Sequence, residues 1–257
     1  MTKQLADLAE IVDEAARKAK AIPQLTLKRP KLSVDDAYGI QALSVARRLG
    51  RGERRIGVKM GLTSRAKMAQ VGVDEVIWGR LTDAMVLEEG GALSLKSYVH
   101  PRIEPEIAFL IGSKLEGNVT ALEAMAALDG VAPAMEIIDS RYKDFKFTLA
   151  DVVADNSSSS GLVVGPWCAP DEDISNLGMV LAVNGRPVQV GSSAAILGHP
   201  VRALVAAARM VAQGGEALNP GDIVLAGAAT AAHPLSSGDR VAAEVQALGR
   251  VAIAVDS

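Results

Sequence analysis

The stretch "HPRIEPEIAFLI", residues 100 to 111, sets two glutamates two positions apart at the head of an apolar run. Side chains at i and i+2 of a β-strand point to one face. A strand here stands Glu104 and Glu106 side by side and turns Ile103, Ile107, Phe109 and Ile111 to the opposite face. Two ionised carboxylates on a buried face are costly unless they share a proton or bind a cation. From the pair alone, a wet strand end is the simpler reading.

A third carboxylate changes the balance. "VAPAMEIIDSRYKDFKF" (131–147) carries Glu136 between Met135, Ile137 and Ile138, the pattern of another buried strand. Two glutamates on one strand and a third on a partner strand supply three oxygen ligands. No histidine or cysteine keeps metal-like spacing with them, and an all-carboxylate set suits Mg²⁺ or Mn²⁺ rather than zinc. A cation site explains all three charges at once.

Two further features stand out. Lys59 lies in "IGVKMGLTS" (56–64), between apolar flanks and a glycine turn. In a pocket, desolvation lowers its ammonium pKa while nearby carboxylates raise it, and it can serve as a proton donor or acceptor. The alternative is a strand-edge lysine that snorkels. "ADVVADNSSSSG" (150–161) reads by composition as a polar linker, and functionally as a loop offering hydroxyls and backbone N–H groups to an anion. There is no G-x-S-x-G elbow for a serine nucleophile. His199 and His233 each precede a proline and read as structural.

Composition bounds the rest. The 257 residues suffice for one large domain, alone or with a helical extension. The formal net charge of -3, with scattered Lys and Arg, argues against a nucleic-acid surface. The lone Cys168 excludes an intrachain disulfide and a thiolate metal cluster. The charged N-terminus lacks a signal-peptide core and no uninterrupted apolar run has the length of a membrane span, so a cytoplasmic protein without membrane partners is expected.

Residues 5–20 have a helical period, and "LSVDDAYGIQALSVARRLGRG" (32–52) forms a second helix capped by Ser33 over Asp36. Short helices are expected over "SRAKMAQVG" (64–72) and, from the capping box Thr120–Glu123, over "ALEAMAALDG" (121–130). Pro200 opens a longer one. The remaining apolar runs are short and separated by turn residues, with a hairpin at Asn184–Gly185. The expected division is a helical N-terminal segment (1–52) and a β-rich catalytic domain (53–257). Regular βαβ alternation is absent, which argues against a doubly wound sheet.

Taken together, "GVKMGLTSRAKMAQVGVDEVIWGRLTD", "HPRIEPEIAFLI", "EIIDSRYKDFKF", "VADNSSSSG" and "LGHPVRALVAAARMVAQGG" closely resemble the hydratase/decarboxylase group of the fumarylacetoacetate hydrolase superfamily. The likeness runs through nearly the whole chain. It implies an α+β fold, a mixed β-roll with a helical N-terminal segment, and a bound Mg²⁺ for which Mn²⁺ can substitute. It places the metal ligands on Glu104, Glu106 and Glu136, and catalytic roles on Lys59 and Asp83. It assigns substrate contacts to Ser158 or a neighbour and, through backbone donors, to the loop of Leu62 and Thr63.

Within the group, "KMGLTSRAKMAQVGV" and "IDSRYKDFKF" look more like the decarboxylases than their hydratase partners. The implied activity is Mg²⁺-dependent decarboxylation of 2-oxo-3-hexenedioate (4-oxalocrotonate) to 2-hydroxypenta-2,4-dienoate and CO₂ in aromatic meta-cleavage catabolism. The alternatives are hydration of 2-hydroxypenta-2,4-dienoate and a non-catalytic role as assembly partner of the pathway hydratase. Ala228, where a glycine or serine is common, departs from both patterns. The implied partners are a small 2-oxo dicarboxylic acid, further copies of the chain in a homo-oligomer, and the hydratase.

Overall fold

Strand β4 (Arg102–Ile111) occupies the middle of a seven-stranded mixed sheet in the computed structural model, which describes residues 3–64, 68 and 75–257. Its neighbours are β5 (Leu128–Ile138) on one side and β9 (Ile223–Leu225) with the short β10 (His233–Pro234) on the other. The sheet continues through β1 (Arg55–Gly61) to β2 (Ile77–Thr82) at one edge and ends in β6 (Ser159–Val164) at the other. A second sheet has the order β3 (Ala92–Ser94), β12 (Gly249–Asp256), β11 (Arg240–Val245), β7 (Gly178–Val183), β8 (Arg186–Ser192). Asn184 and Gly185, both with positive φ, form the expected β7–β8 turn.

The apolar face foreseen for β4 is buried. Ile107, Phe109 and Ile111 pack in a cluster with helix α5 (Pro200–Gln213), which buries Val201, Leu204, Met210 and Val211 together with three alanines. Each large aliphatic side chain so buried contributes about 1.5–3 kcal/mol. The span Ser193–Gln213 has the length and hydropathy of a membrane-crossing helix, but 56% of its apolar window is buried inside the protein. His199 is structural, as expected: its Nδ1 accepts from Val201 N and caps α5. Ile103, Met135, Ile137 and Val163 pack against Leu181, Val241, Val251 and Ile253 of the second sheet.

Helices α1 (Lys3–Arg17) and α2 (Val34–Gly50) add a third layer. Ala9, Val12, Ala37 and Ile40 pack with Ile77 of β2, Tyr142 and Val153. Buried Asp13 ties the two helices together through Arg47 (2.8 Å) and Arg51 (2.7 Å).

Two expectations change. The helix after Thr120 has its capping box but stops at Ala126, because Leu128 is already paired with Ile111 in the β4–β5 ladder (α3, Ala121–Ala126). Tertiary pairing here overrides the helix propensity of "AALD". The polar stretch 150–161, a linker by composition, begins inside α4 (Leu149–Ala154), capped reciprocally by Thr148 and Asp151, a T-x-x-D signal that its polar sequel masks. The helix expected over 64–72 falls, beyond Ser64 and Met68, outside the described residues.

Candidate active site

Strand register brings the acidic and basic residues to one face of the sheet. Glu104 lies directly opposite Glu136, and Glu106 opposite Ala134. On the other side Ala108 faces Leu225, and Leu225 faces Lys59. Residues opposite one another share a face, so Lys59 of β1, Glu104 and Glu106 of β4 and Glu136 of β5 converge. Carboxylate oxygens of the three glutamates all lie within 4.8 Å of one another. Glu106 and Glu136 are fully buried, and Glu104 is half-buried.

The charges are strongly coupled. Lys59 Nζ is 2.9 Å from Glu136 Oε2. Burial pushes the Lys59 ammonium down, but Glu136, Glu106 and Glu104 together outweigh it and hold it above its ordinary value. Burial, then the charge of Glu136, pushes Glu106 well above the usual carboxylate range, against the opposing pull of Lys59 and of Gly227 N, which donates to Oε2 at 2.7 Å. Lys59 is thus a buried ammonium rather than a snorkelling surface group.

The donor set fits a hard divalent cation. Glu106 Oε1 and Glu136 Oε1 are buried without a hydrogen-bond partner. Leaving buried carboxylate oxygens unsatisfied is expensive, and a cation bound among them removes the cost.

A cavity of about 150 Å³ opens over this cluster. One part of its wall is polar, with Lys59, Glu104, Thr63, Ser157 and Ser158. Another part is apolar, formed by Leu62, Ile77, Ile138, Phe147, Val152 and Ala228 among others. Ser158 is buried and its Oγ has no hydrogen-bond partner in the protein. Leu62 has a positive φ, and Thr63 packs so closely on Gly227 that a Cβ there would lie 2.2 Å from Thr63 Oγ1. Lys59, Leu62, Thr63, Ser158 and the three glutamates are therefore brought together.

Asp83 is not, and this corrects its expected catalytic placement. It follows Thr82, which faces Arg55, four residues along β1 from Lys59, a separation on the order of 13 Å along the strand. Its carboxylate instead accepts from Arg54 N (2.9 Å) and Arg54 Nε (3.0 Å). The Arg54 amide and guanidinium hold it below its ordinary value. Asp83 joins the ends of two strands.

Sequence reasoning missed Gly227 and, apart from Leu62, the apolar wall. No local pattern marks Ile77 or Val152 as pocket residues. Gly227 carried a weak signal, a glycine directly after an apolar strand.

Comparisons with known proteins agree with this fold. Residues 50–256 match the family model described as fumarylacetoacetate (FAA) hydrolase C-terminal. A 4-oxalocrotonate decarboxylase from Pseudomonas sp. is 61% identical over 246 residues, 96% of each chain. A 2-keto-4-pentenoate hydratase from Paraburkholderia xenovorans is 36% identical, over 97% of this chain and 94% of its own. The structure of 4-oxalocrotonate decarboxylase from Pseudomonas putida G7, complexed with magnesium and adipate, superposes with a TM-score of 0.96 at 37% identity, covering 99% of this chain and 98% of that one. The chain belongs to the fumarylacetoacetate hydrolase family.

Proposed function

We propose that this protein is a Mg²⁺-dependent carbon–carbon lyase that decarboxylates 2-oxo-3-hexenedioate (4-oxalocrotonate) to 2-hydroxypenta-2,4-dienoate and CO₂ in meta-cleavage catabolism. The observation that carries this reading is the convergence of Glu104, Glu106 and Glu136 with buried Lys59 beneath one cavity. The 61% identity to a 4-oxalocrotonate decarboxylase supports the choice of reaction.

In this reading the three glutamates hold the cation, with Mn²⁺ as a substitute of similar chemistry. A bound divalent ion supplies a Lewis acid for the 2-oxo group, where negative charge collects as the reaction proceeds. The distal carboxylate sits on the γ-carbon of an enone. When its C–C bond breaks, the electron pair moves through C3=C4 to the C2 oxygen, giving a dienolate and CO₂. Lys59 Nζ stands beside that charge and manages the proton that completes the dienol. The Ser158 hydroxyl and the backbone of Leu62 and Thr63 orient the substrate.

The cavity wall favours decarboxylation over hydration. Among the described lining residues, Lys59 and Glu104 are the only titratable groups. A hydratase needs a water aimed at carbon and a base to aim it. The apolar surface of Ile77, Phe147 and Val152 offers neither, and it poorly solvates a carboxylate poised to leave as neutral CO₂. Assembly with further copies of the chain and with the pathway hydratase belongs to the same proposal, since the dienol product is reactive. The intact lysine and glutamates speak against a purely scaffolding role.

Purified protein with Mg²⁺ should release CO₂ stoichiometrically from the six-carbon acid and leave the five-carbon dienol to ketonise slowly. Rapid conversion of that dienol to 4-hydroxy-2-oxopentanoate, with little CO₂ from the dicarboxylate, would replace the reading by the hydratase. Tight hydratase binding without turnover of either substrate would replace it by the scaffold.

A further inference from the structure

The outer edge of β2 ends the seven-stranded sheet, yet at Trp78 and Arg80 it is occupied by side chains. Tyr38 Oη accepts from Trp78 N at 3.2 Å. Trp78 O accepts from Gln41 Nε2 at 3.0 Å and from Ser157 Oγ at 2.7 Å. At Arg80 a single side chain takes both main-chain groups. Asn156 Oδ1 accepts from Arg80 N and Asn156 Nδ2 donates to Arg80 O, each at 2.8 Å. The carboxamide thereby does what the backbone of a further strand would do.

Between those two residues lies Gly79, which faces Lys59 across the β1–β2 ladder. A Cβ on Gly79 would lie 2.5 Å from Asn156 O and 3.2 Å from Asn156 Oδ1. Only a glycine lets the loop approach this closely. The loop itself is in an uncommon conformation. Asn156, Ser157 and Ser158 have φ of 50°, 52° and 59°, three successive non-glycine residues in the left-handed region. Such residues cost free energy and persist where the surroundings over-determine them. Here the surroundings are the Asn156 clamp, the Ser157 bond to Trp78 O, and the bonds Ser158 N to Asp155 O (2.9 Å) and Asp139 N to Ser158 O (2.8 Å).

We propose that Asn156 is a positioning residue: by replacing a strand at the Gly79–Arg80 edge it holds the left-handed serine turn and aims the Ser158 hydroxyl at the substrate beside Lys59. Gln41 extends the support, because its Nε2 also donates to Val153 O (2.9 Å) and its Oε1 accepts from Arg80 Nη1 (2.7 Å). Helix α2 thus holds the strand and the helix that flank the turn. The proposal rests on the reading of Ser158 as a substrate contact.

The test is a double-mutant cycle between Asn156→Gly and Ser158→Ala, read by kcat/KM for decarboxylation and by calorimetric affinity for adipate and for Mg²⁺. Glycine tolerates positive φ, so Asn156→Gly removes the clamp without adding backbone strain. Asn156→Asp, which keeps the Oδ1 acceptor and loses the donor, is the second variant should the first not fold. A displaced catalytic contact costs about 10- to 100-fold, and that loss in kcat/KM is expected for Asn156→Gly with Mg²⁺ affinity unchanged. In the Ser158→Ala background the same substitution should cost little, because groups acting as one unit are not additive. Additive losses would overturn the proposal, as would Mg²⁺ affinity falling in parallel with adipate affinity. If Ser158→Ala leaves kcat/KM and adipate affinity intact, the proposal also fails, while CO₂ release by the unaltered protein still decides the reaction.

Discussion

Lys59 Nζ and Glu136 Oε2 form a buried ion pair of 2.9 Å, although the two residues are 77 positions apart in the chain. Among the described residues Lys59 is the one cation of a pocket floor that otherwise concentrates negative charge, with Glu106 and Glu104 also acting on it. A buried ammonium in that place is poised to move a proton rather than to hold the fold together, since buried ion pairs add little net stability over an apolar replacement.

Replacing Lys59 with methionine strands the buried Glu136 carboxylate, which should cost about 3–5 kcal/mol of stability in the metal-free protein, and should slow turnover. The expected fall in kcat is about 10²- to 10⁴-fold, the range for loss of a positioned acid–base group. Steady-state kinetics at saturating substrate and Mg²⁺ check this. Near-normal kcat would return Lys59 to a structural role.

Glu106→Gln replaces a fully buried carboxyl, already pushed well above the usual carboxylate range, by a neutral amide of the same shape. Thermal stability should change little, while Mg²⁺ affinity falls by more than the roughly 10- to 100-fold seen when only a group behind the ligands is lost. Calorimetric titration of Mg²⁺ and a thermal scan on the same sample measure both. Unchanged Mg²⁺ binding would remove Glu106 from the ligand set.

Asp83→Asn provides the contrast. Its carboxylate serves Arg54 at the end of the β1–β2 pair, away from the cavity. The expected loss of stability is small, because solvent screens an exposed ion pair, with kcat/KM close to that of the unaltered protein. A loss of kcat comparable to that of Lys59→Met would restore the catalytic role.

Acid should loosen α1 from α2 through Asp13. Burial pushes its carboxyl up, but hydrogen bonds and charge from Arg51 and Arg47 outweigh this and hold it below the ordinary 3.8. A depressed folded-state pKa stabilises the protein fully above the unfolded value, and that stability is lost as pH falls through the folded one. The contribution should therefore be intact at pH 5 to 7 and fade below about pH 4. Asp13→Asn should cost about 1.5–3 kcal/mol at neutral pH and flatten the acid limb of a stability–pH curve. An unchanged acid limb would show that another carboxylate governs it.

Much of the site is legible in the amino-acid sequence. The i, i+2 spacing of Glu104 and Glu106 in an apolar strand, the isolated Glu136 and the lysine in "IGVKMGLTS" each break a local pattern. A charge that defies its neighbours' hydrophobicity is visible because burial patterning is periodic along the chain. The capping signals of α2 and α3 and the Asn184–Gly185 turn are readable for a related reason: they depend on residues within three or four positions of one another.

Tertiary structure decided the rest. That Glu136 faces Glu104, and that Lys59 reaches them across β9, follows from strand order and register. Asp83 shows the converse, being one element away from Lys59 in sequence and at the far end of the same strand pair in space. The end of α3 at Ala126 was set by pairing of Leu128 with Ile111, and the left-handed turn at Asn156–Ser158 by the free edge of β2. Local sequence determined which residues could not be ordinary surface or core, because side-chain periodicity and desolvation act residue by residue. Which of them meet was decided by backbone hydrogen bonding between distant segments, whose register no single segment encodes.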